Sequence, residues 1–162
     1  FEISTSSFEN DIAIAKKLKE ANSTGFVIAI DFSKKMLYQA VAAAEKSFVS
    51  ENIIWLLADV EDCPIVNGSA DRVTCGGSLN EYRDPEKAIQ ESARILKAGG
   101  RYVTMNLFRK NALAGLLLSI VHWTSGLSFF SKEYWNILFT RNGFQILLQE
   151  TTGIVMFGVS KK

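Results

Sequence analysis

Residues 26–41 read Phe26-Val-Ile-Ala-Ile-Asp-Phe-Ser-Lys-Lys-Met-Leu-Tyr-Gln-Ala-Val41. Five apolar residues end in a carboxylate, Asp31, and apolar residues at helical spacing follow shortly afterwards. This pattern predicts a buried β-strand over residues 26–30 and then a helix. The buried stripe of that helix is predicted to contain Met36, Leu37, Ala40 and Val41.

A second apolar run, residues 53–58, also ends in an acid, Asp59. Ligands of open α/β sheets bind at the carboxyl ends of the strands, where a carboxylate can accept hydrogen bonds from ribose hydroxyls. Two such acids indicate one ligand crevice at one edge of the sheet. The alternative for Asp31 is an ordinary acidic helix cap.

Composition limits the classes of function. The chain has 162 residues, of which 48% are hydrophobic, so residues 1–162 are expected to form a single domain with a real core. Its net charge of +1 argues against a nucleic-acid partner. Cys63, Cys75 and His122 are the only cysteines and histidine, too few soft ligands for an ordinary zinc site, and we expect no metal.

The N-terminus shows no basic segment followed by a small-residue cleavage site, and the two thiols suit a reducing compartment, so a cytoplasmic location is expected. The chain starts at Phe1 in what reads as a first strand. We therefore expect that N-terminal residues of the domain are missing.

Strand and helix patterns alternate along the rest of the chain. Ser6 and Glu9 are spaced as a capping box for a first helix, and Asp84-Pro85 is a typical helix start. Gly99-Gly100 is expected to stop that later helix, whose buried stripe runs to Leu96. The strands predicted after residue 70 are 71–75, 101–105, 144–149 and 154–159.

The last two strands are separated by residues 151–153, Thr-Thr-Gly, and are predicted to form an antiparallel hairpin. Alternating β and α elements predict an α/β fold with a doubly wound, mostly parallel sheet. We therefore expect a seven-stranded sheet that ends in a C-terminal antiparallel hairpin.

Four stretches together resemble class I S-adenosylmethionine-dependent methyltransferases, which have a Rossmann-like fold. The resemblance extends over nearly the whole chain and is closest in kind to quinone-biosynthesis C-methyltransferases and other small-molecule methyltransferases. The four stretches are residues 27–37, 59–64, 68–73 and 91–103.

The resemblance implies S-adenosylmethionine as cofactor and assigns roles by position. Asp31 would accept hydrogen bonds from the ribose hydroxyls, and Phe32 would lie against the adenine. Asp59, with the backbone of Val60, would bind the adenine amino edge. Met36 would pack on the same ring, although a methionine at this spacing is equally a core residue.

Cys75 and Gly76, at the end of the fourth predicted strand, would flank the methionine part of the cofactor. The family usually has a glycine-rich turn after its first strand, but here Glu2, Ser4 and Ser6 stand in the stretch Glu-Ile-Ser-Thr-Ser-Ser-Phe8. Small serines still offer backbone N–H groups but lose easy access to positive φ. Either this loop is rebuilt around the same cofactor or the pocket is degenerate.

Methyl transfer from a sulfonium needs positioning more than a nucleophilic residue, and the sequence assigns no catalytic residue. If the acceptor must lose a proton, weak candidates are Glu81, His122 and Tyr134. Asn80 and Tyr82 are placed to line the acceptor pocket. The structural alternatives are a surface acid for Glu81, a satisfied histidine within an apolar helix for His122 and a packing aromatic for Tyr134.

Residues 112–121, Ala-Leu-Ala-Gly-Leu-Leu-Leu-Ser-Ile-Val, are too short for a transmembrane helix. They would form a cap over an apolar acceptor, a peripheral membrane or homodimer contact, or an ordinary buried helix. The predicted function is methylation of a small apolar acceptor, quinol-like or lipid-like. The alternative is a noncatalytic binding module with a degenerate methyltransferase fold.

Overall fold

The computed structural model describes residues 8–109 and 127–162 and the backbone of residues 2–4. Within this part the chain forms eight strands and four α-helices. The strands are β1 (Glu2–Ser4), β2 (Val27–Asp31), β3 (Ile53–Leu57), β4 (Ala70–Gly76), β5 (Leu96–Arg109), β6 (Phe130–Ser131), β7 (Gln145–Thr152) and β8 (Val155–Lys161). The helices are α1 (Phe8–Glu20), α2 (Lys34–Lys46), α3 (Pro85–Ile95) and α4 (Lys132–Arg141).

The strands form one mixed sheet in the order β3-β2-β1-β4-β5-β8-β7. β1 to β5 pair in parallel, whereas β8 is antiparallel to both β5 and β7. The predicted count of seven strands was wrong, because β6 adds an eighth that pairs only with β5, Phe130 opposite Phe108. A strand of two residues is too short to leave a periodic pattern in the sequence.

The predicted helix stop at Gly99-Gly100 was also wrong. Helix α3 starts where predicted, with Asp84 accepting a hydrogen bond from the N–H of Lys87, but it ends at Ile95. β5 begins at Leu96, and the glycines lie in an irregularity between the pairs Ala70–Leu96 and Arg72–Arg101. A Cβ on Gly100 would lie 2.9 Å from the carbonyl oxygen of Lys97, so this bulge requires a glycine.

The C-terminal hairpin is present but longer than predicted. β7 continues through Thr152, which pairs with Val155, so the two threonines belong to the strand rather than to the turn. The turn is made by Gly153, at φ 62°, and Ile154. Positive φ is inexpensive only for glycine, which explains why the chain reverses there.

Buried residues form two clusters, one on each face of the sheet, as a doubly wound sheet requires. The smaller cluster includes Ala15, Val27, Ala44 and Ile53, which α1, α2, β2 and β3 contribute. The larger cluster lies under α3 and α4 and contains Val73, Cys75, Leu79, Ile89, Tyr102, Trp135 and Phe139, among others. The apolar faces of the helices therefore pack against the apolar side chains of the strands on both faces of one sheet.

Candidate cofactor and acceptor site

The parallel pairing brings the carboxyl ends of β1 to β4 to one edge of the sheet. Asp31 ends β2 and pairs with Leu57, the last residue of β3. Ser4 ends β1 and pairs with Ala29 of β2 and Thr74 of β4. The predicted ligand residues that follow these strands therefore share one crevice-forming edge.

Asp31 is half-buried and held by local hydrogen bonds. The backbone N–H of Ser33 donates to its Oδ1 at 2.7 Å, and the N–H of Ala58 donates to its carbonyl oxygen at 3.2 Å. The hydroxyl of Ser33, not Asp31, caps α2 by accepting from the N–H of Met36 at 3.3 Å. Ser33 is therefore the N-cap of α2, and Asp31 is not. Oδ2 of Asp31 has no hydrogen-bond partner among the described residues.

Two apolar side chains next to Asp31 face solvent. Phe32 is 80% exposed and Met36 is 40% exposed. The ring of Phe32 follows Asp31 directly in the chain, so an exposed apolar surface adjoins the carboxylate. A small open pocket borders Asp31 and Met36 and is lined by Phe8, Asp11, Ala29, Ile30, Asp31, Met36, Leu37, Ala40 and Trp55.

The carboxylate of Asp59 has two hydrogen-bond partners in the structure. Its Oδ1 accepts from the backbone N–H of Glu61 at 2.9 Å, which caps the short 3₁₀ helix Val60–Asp62. Its Oδ2 pairs with the guanidinium of Arg83 at 3.1 Å. An adenine amino group bound at Asp59 would therefore share this oxygen with Arg83 or displace it.

The first loop lies mostly outside the described residues. Glu2 is the first residue of β1 and pairs with Val27 and Arg72, and Ser4 is the last residue of that strand. Ser6 lies outside the described residues, as do its neighbours. Phe8 is the first residue of α1; it packs against the smaller core cluster and also lines the pocket.

At the end of β4, Cys75 is buried and Gly76 is the last strand residue. The sulfur of Cys75 lies 3.9 Å from the hydroxyl of Tyr82, which is partly buried against the larger core cluster. Gly77 follows at φ 101°, a conformation that favours glycine. The chain therefore turns sharply out of the sheet where the cofactor's methionine part is predicted.

Asn80 is fully buried and serves the backbone. Its Nδ2 donates to the carbonyl oxygens of Leu107 at 2.9 Å and Ser128 at 2.6 Å, and its Oδ1 accepts from the N–H of Leu107 at 2.8 Å. Pairing with both backbone groups of Leu107 imitates a neighbouring strand. Asn80 thus continues the sheet past the end of β4 rather than presenting its amide to a pocket.

Among the described residues, no hydrogen bond or ion pair joins the proton-transfer candidates. Glu81 is exposed just after the short helix Ser78–Asn80, and Tyr134 lies on α4. Tyr134 is 38% exposed and stacks on Phe130 with ring centroids 4.3 Å apart. His122 lies outside the described residues.

A group of charged residues beside this site was not predicted from the sequence. Oε1 of Glu61, which is only 7% exposed, accepts from the backbone N–H groups of Arg83 at 3.1 Å and Asp84 at 3.2 Å. Glu91 of α3 accepts from the N–H of Cys63 at 3.0 Å. The spacing of Glu61 after Asp59 was visible in the sequence, but its partners lie more than 20 positions further along the chain.

Arg94 completes this group of charges. Its guanidinium donates to the carbonyl oxygens of Cys63 and Ile65, both at 2.7 Å, to Asn67, and to Glu91. The hydrogen bonds from Arg94 lower the pKa of Glu91 from its ordinary value. Burial, which penalises the thiolate, raises the pKa of Cys63 to about 11, so this thiol is unreactive at neutral pH.

The residues present fit the cofactor implied by the sequence. A carboxylate oxygen of Asp31 remains for hydroxyl groups, and the exposed ring of Phe32 offers a flat apolar surface beside it. Gly77 keeps the backbone at the end of β4 free of a Cβ. Asp59 fits less simply, because Arg83 already contacts it.

Comparisons with known proteins agree with this geometry. A protein family described as a methyltransferase domain matches residues 12–104, more than half of the chain. The 2-phytyl-1,4-naphtoquinone methyltransferase of Nostoc sp. is 31% identical over 101 residues, 62% of this chain and 44% of that protein. The demethylmenaquinone methyltransferase of Staphylococcus aureus is 37% identical over 87 residues, 54% of this chain and 35% of that protein.

This chain therefore aligns with less than half the length of either relative. Among solved structures, the geranyl diphosphate C-methyltransferase of Streptomyces coelicolor, solved with S-adenosyl-L-homocysteine, superposes with a TM-score of 0.77 at 14% identity, over 99% of this chain and 71% of that one. The MccD protein superposes with a TM-score of 0.78 at 14% identity, over 99% and 89%. At such low identities these two structures show the fold alone.

The family match covers residues 12–104 and includes β2, β3, β4 and most of β5, whose carboxyl ends carry the candidate site. The mostly parallel sheet with a C-terminal antiparallel hairpin and the position of Asp31 at the end of β2 are those expected from the sequence. The chain belongs to the class I S-adenosylmethionine-dependent methyltransferases.

Proposed function

We propose that this chain transfers a methyl group from S-adenosylmethionine to a small apolar acceptor of the quinol type. The observation that carries the proposal is Asp31, fixed at the end of β2 by the N–H of Ser33 with Phe32 exposed beside it. The names of the two quinone-methylating relatives support the acceptor class. A lipid-like acceptor is the other member of the predicted class.

The bound cofactor supplies a methyl group on positively charged sulfur, which becomes a neutral thioether when the acceptor gains the methyl group and loses a proton. The chain's own residues then bind and orient the reactants. Asp31 would hold the ribose hydroxyls, Phe32 would cover one face of the adenine, and Asp59 with the backbone of Val60 would contact the adenine edge. Cys75 and Gly76 would flank the methionine part. Such positioning can supply about 7–11 kcal/mol of the barrier.

On the acceptor side, the loop of residues 77–84 adjoins the end of β4 and carries Glu81 and Tyr82. The stacked pair Phe130 and Tyr134 lies beside the carboxyl end of β5, where Phe130 pairs with Phe108, and offers an aromatic surface for a ring. The apolar run 112–121 falls outside the described residues, so its predicted role as a cap, a peripheral membrane contact or a homodimer contact stays a prediction. No helix in residues 8–109 and 127–162 is long and apolar enough to cross a membrane.

The test is a titration of the chain with S-adenosylmethionine and S-adenosylhomocysteine, followed by calorimetry and thermal unfolding. At a hundred times the dissociation constant, either ligand should stabilise the fold by about 2.7 kcal/mol. Asp31→Ala should weaken binding at least about tenfold, the loss of a charge-assisted hydrogen bond. Asp71→Ala, which removes an exposed carboxylate at the opposite edge of the sheet, is the matched control.

Equal affinity of the Asp31→Ala variant and the parent would refute the assignment of Asp31. Binding without methylation of any quinol or lipid acceptor would refute the proposed reaction. The absence of any stabilisation is the result expected of the noncatalytic module, for which neither the described site nor the relatives named above offer support.

A further inference from the structure

The side chain of Glu61 connects two loops at the ligand edge. The first, residues 59–62, follows β3 and carries Asp59. The second, residues 77–84, follows β4 and carries the acceptor-side candidates Glu81 and Tyr82. Sheet pairing does not reach either loop, so their relative position depends on side-chain contacts.

Glu61 makes this connection with one buried oxygen. Its Oε1 accepts from the N–H groups of two consecutive residues, Arg83 at 3.1 Å and Asp84 at 3.2 Å. Asp84 is also the residue that caps α3, so the same contact places the start of that helix. Charge-assisted hydrogen bonds of this kind are about twice as strong as neutral ones.

The other end of the second loop is fixed independently. Asn80 pairs with the backbone of Leu107 on β5 and with Ser128. Glu81 and Tyr82 therefore lie between two anchors, Asn80 on one side and the Glu61 contact on the other. Two contacts tie this stretch to the residues predicted to bind adenine, the buried contact of Glu61 and the exposed ion pair of Arg83 with Asp59. Exposed ion pairs contribute little, so the Glu61 contact is the stronger of the two.

The side chain and the backbone of Glu61 have separate tasks. Its backbone N–H donates to Oδ1 of Asp59, whereas its carboxylate accepts from Arg83 and Asp84. Truncation of the side chain removes the second set of contacts and leaves the first in place. The two tasks can therefore be separated by substitution.

We propose that Glu61 is a positioning residue that holds the 77–84 loop against the 59–62 loop and so sets the acceptor relative to the bound cofactor. The proposal rests on the methyltransferase function proposed above. It assigns to Glu61 an effect on methyl transfer and on acceptor binding, but not on cofactor binding.

The first test is amide hydrogen exchange on the full chain, which does not require activity. In Glu61→Ala, exchange in residues 82–84 should rise about tenfold or more because two N–H groups lose their acceptor, whereas exchange in β2 should stay unchanged. In Glu61→Gln, the amide oxygen still accepts from both N–H groups, and the protection should return. Unchanged exchange in Glu61→Ala would overturn the proposal, whether or not the parent is active.

The second test measures kinetics with a quinol acceptor. Glu61→Ala should lower kcat or raise the acceptor KM by about ten- to a hundredfold, as expected for a displaced loop, and change the dissociation constant of S-adenosylmethionine less than about threefold. Glu61→Gln should lie within about threefold of the parent. Asp62→Ala, which removes an exposed carboxylate next to Glu61 on the same short helix, should behave like the parent.

A Glu61→Ala variant with parent kinetics, or a Glu61→Gln variant as impaired as Glu61→Ala, would overturn the proposal. A parallel loss of cofactor affinity would do the same, because the residue would then act on the cofactor site. If Glu61→Ala does not fold, Glu61→Asp replaces it, since the shorter side chain keeps the charge but withdraws it from the two N–H groups. An inactive parent with normal Glu61-dependent exchange would refute the proposed function and retain the connection between the loops.

Discussion

Two regions on the same face of the sheet hold their elements by different physical means. The aromatic cluster consists of Tyr102, Phe130, Tyr134, Trp135, Phe139 and Phe144 and packs α4 on β5. The polar strap consists of residues 59–67 together with Arg83, Glu91 and Arg94 of the α3 region. Apolar packing gains free energy in proportion to buried area, whereas buried charged groups mainly cost free energy when one partner is lost.

The two regions differ in how precisely they fix the positions of their residues. The aromatic cluster derives its stability from many contacts that are individually weak and have no fixed direction. The strap lies beside the ligand edge, and its hydrogen bonds have fixed directions that place residues 59–67 on α3. We therefore expect the cluster to dominate stability and the strap to dominate the geometry of the site.

The largest effect on stability is expected in the aromatic cluster. Trp135 is fully buried, contacts the rings of Phe130 and Phe139, and donates from Nε1 to the carbonyl oxygen of Leu107 at 3.4 Å. Trp135→Ala should lower the free energy of unfolding by about 3–5 kcal/mol, measured by urea denaturation. Trp135→Phe, which keeps most of the apolar volume, should cost clearly less; equal losses would contradict a packing role.

The strap should respond more moderately. Arg94→Ala removes the guanidinium that donates to the carbonyl oxygens of Cys63 and Ile65 and leaves Glu91 without its ion pair. The carbonyl oxygen of Cys63 keeps only the N–H of Ile65 as a donor. We expect a loss of about 2–3 kcal/mol in the same denaturation experiment. Arg94→Lys should recover less than half of it, because an ammonium cannot reproduce the planar, multiply bonded guanidinium. Full recovery by lysine would show that charge alone matters.

A third substitution removes a buried polar side chain from β5, the strand on which the aromatic cluster packs. Asn106 of β5 is fully buried opposite Met156, and within the described structure neither polar atom of its amide has a hydrogen-bond partner. Asn106→Leu should raise the free energy of unfolding by about 1 kcal/mol, because the desolvation cost of the amide disappears. Destabilisation in thermal and urea unfolding would indicate that the amide has a partner in the native protein.

The smallest effect is a pH dependence confined to the strap. The folded-state pKa of Glu91 lies below its ordinary value of 4.5, chiefly because Arg94 donates hydrogen bonds to the carboxylate. Its contribution to stability is therefore complete above about pH 4.5 and is lost as the pH falls through the lower folded pKa. Stability should fall less steeply with acid in Glu91→Gln than in the parent, and an identical acid limb would contradict this assignment.

Local sequence signals predicted the elements with strong patterns. The run 26–30 and its terminal Asp31, the Asp84-Pro85 helix start and the C-terminal hairpin are all present. The errors arose where the same residues are compatible with two different local structures. Gly99 and Gly100 suit a helix end as well as a bulge, and pairing with β4 made them part of β5.

The candidate site divides in the same way. The two strand-end acids and the family resemblance predicted that Asp31, Phe32 and Asp59 lie at one edge of the sheet. They did not predict that the side-chain amide of Asn80 would form hydrogen bonds with the backbone of Leu107, or that Arg83 would pair with Asp59. Those partners lie 24 or more positions apart in the chain, where no periodic pattern connects them.

The sequence by itself determined the alternation of strands and helices, the two strand-end acids and the family, because these depend on patterns within about a dozen residues and on motif order. Only the tertiary structure decided the eighth strand, the extent of β5 and the link from Glu61 to Arg83 and Asp84. The physical reason is that a hydrogen bond between distant segments depends on where the completed sheet places both partners. The local sequence around either partner does not contain that information.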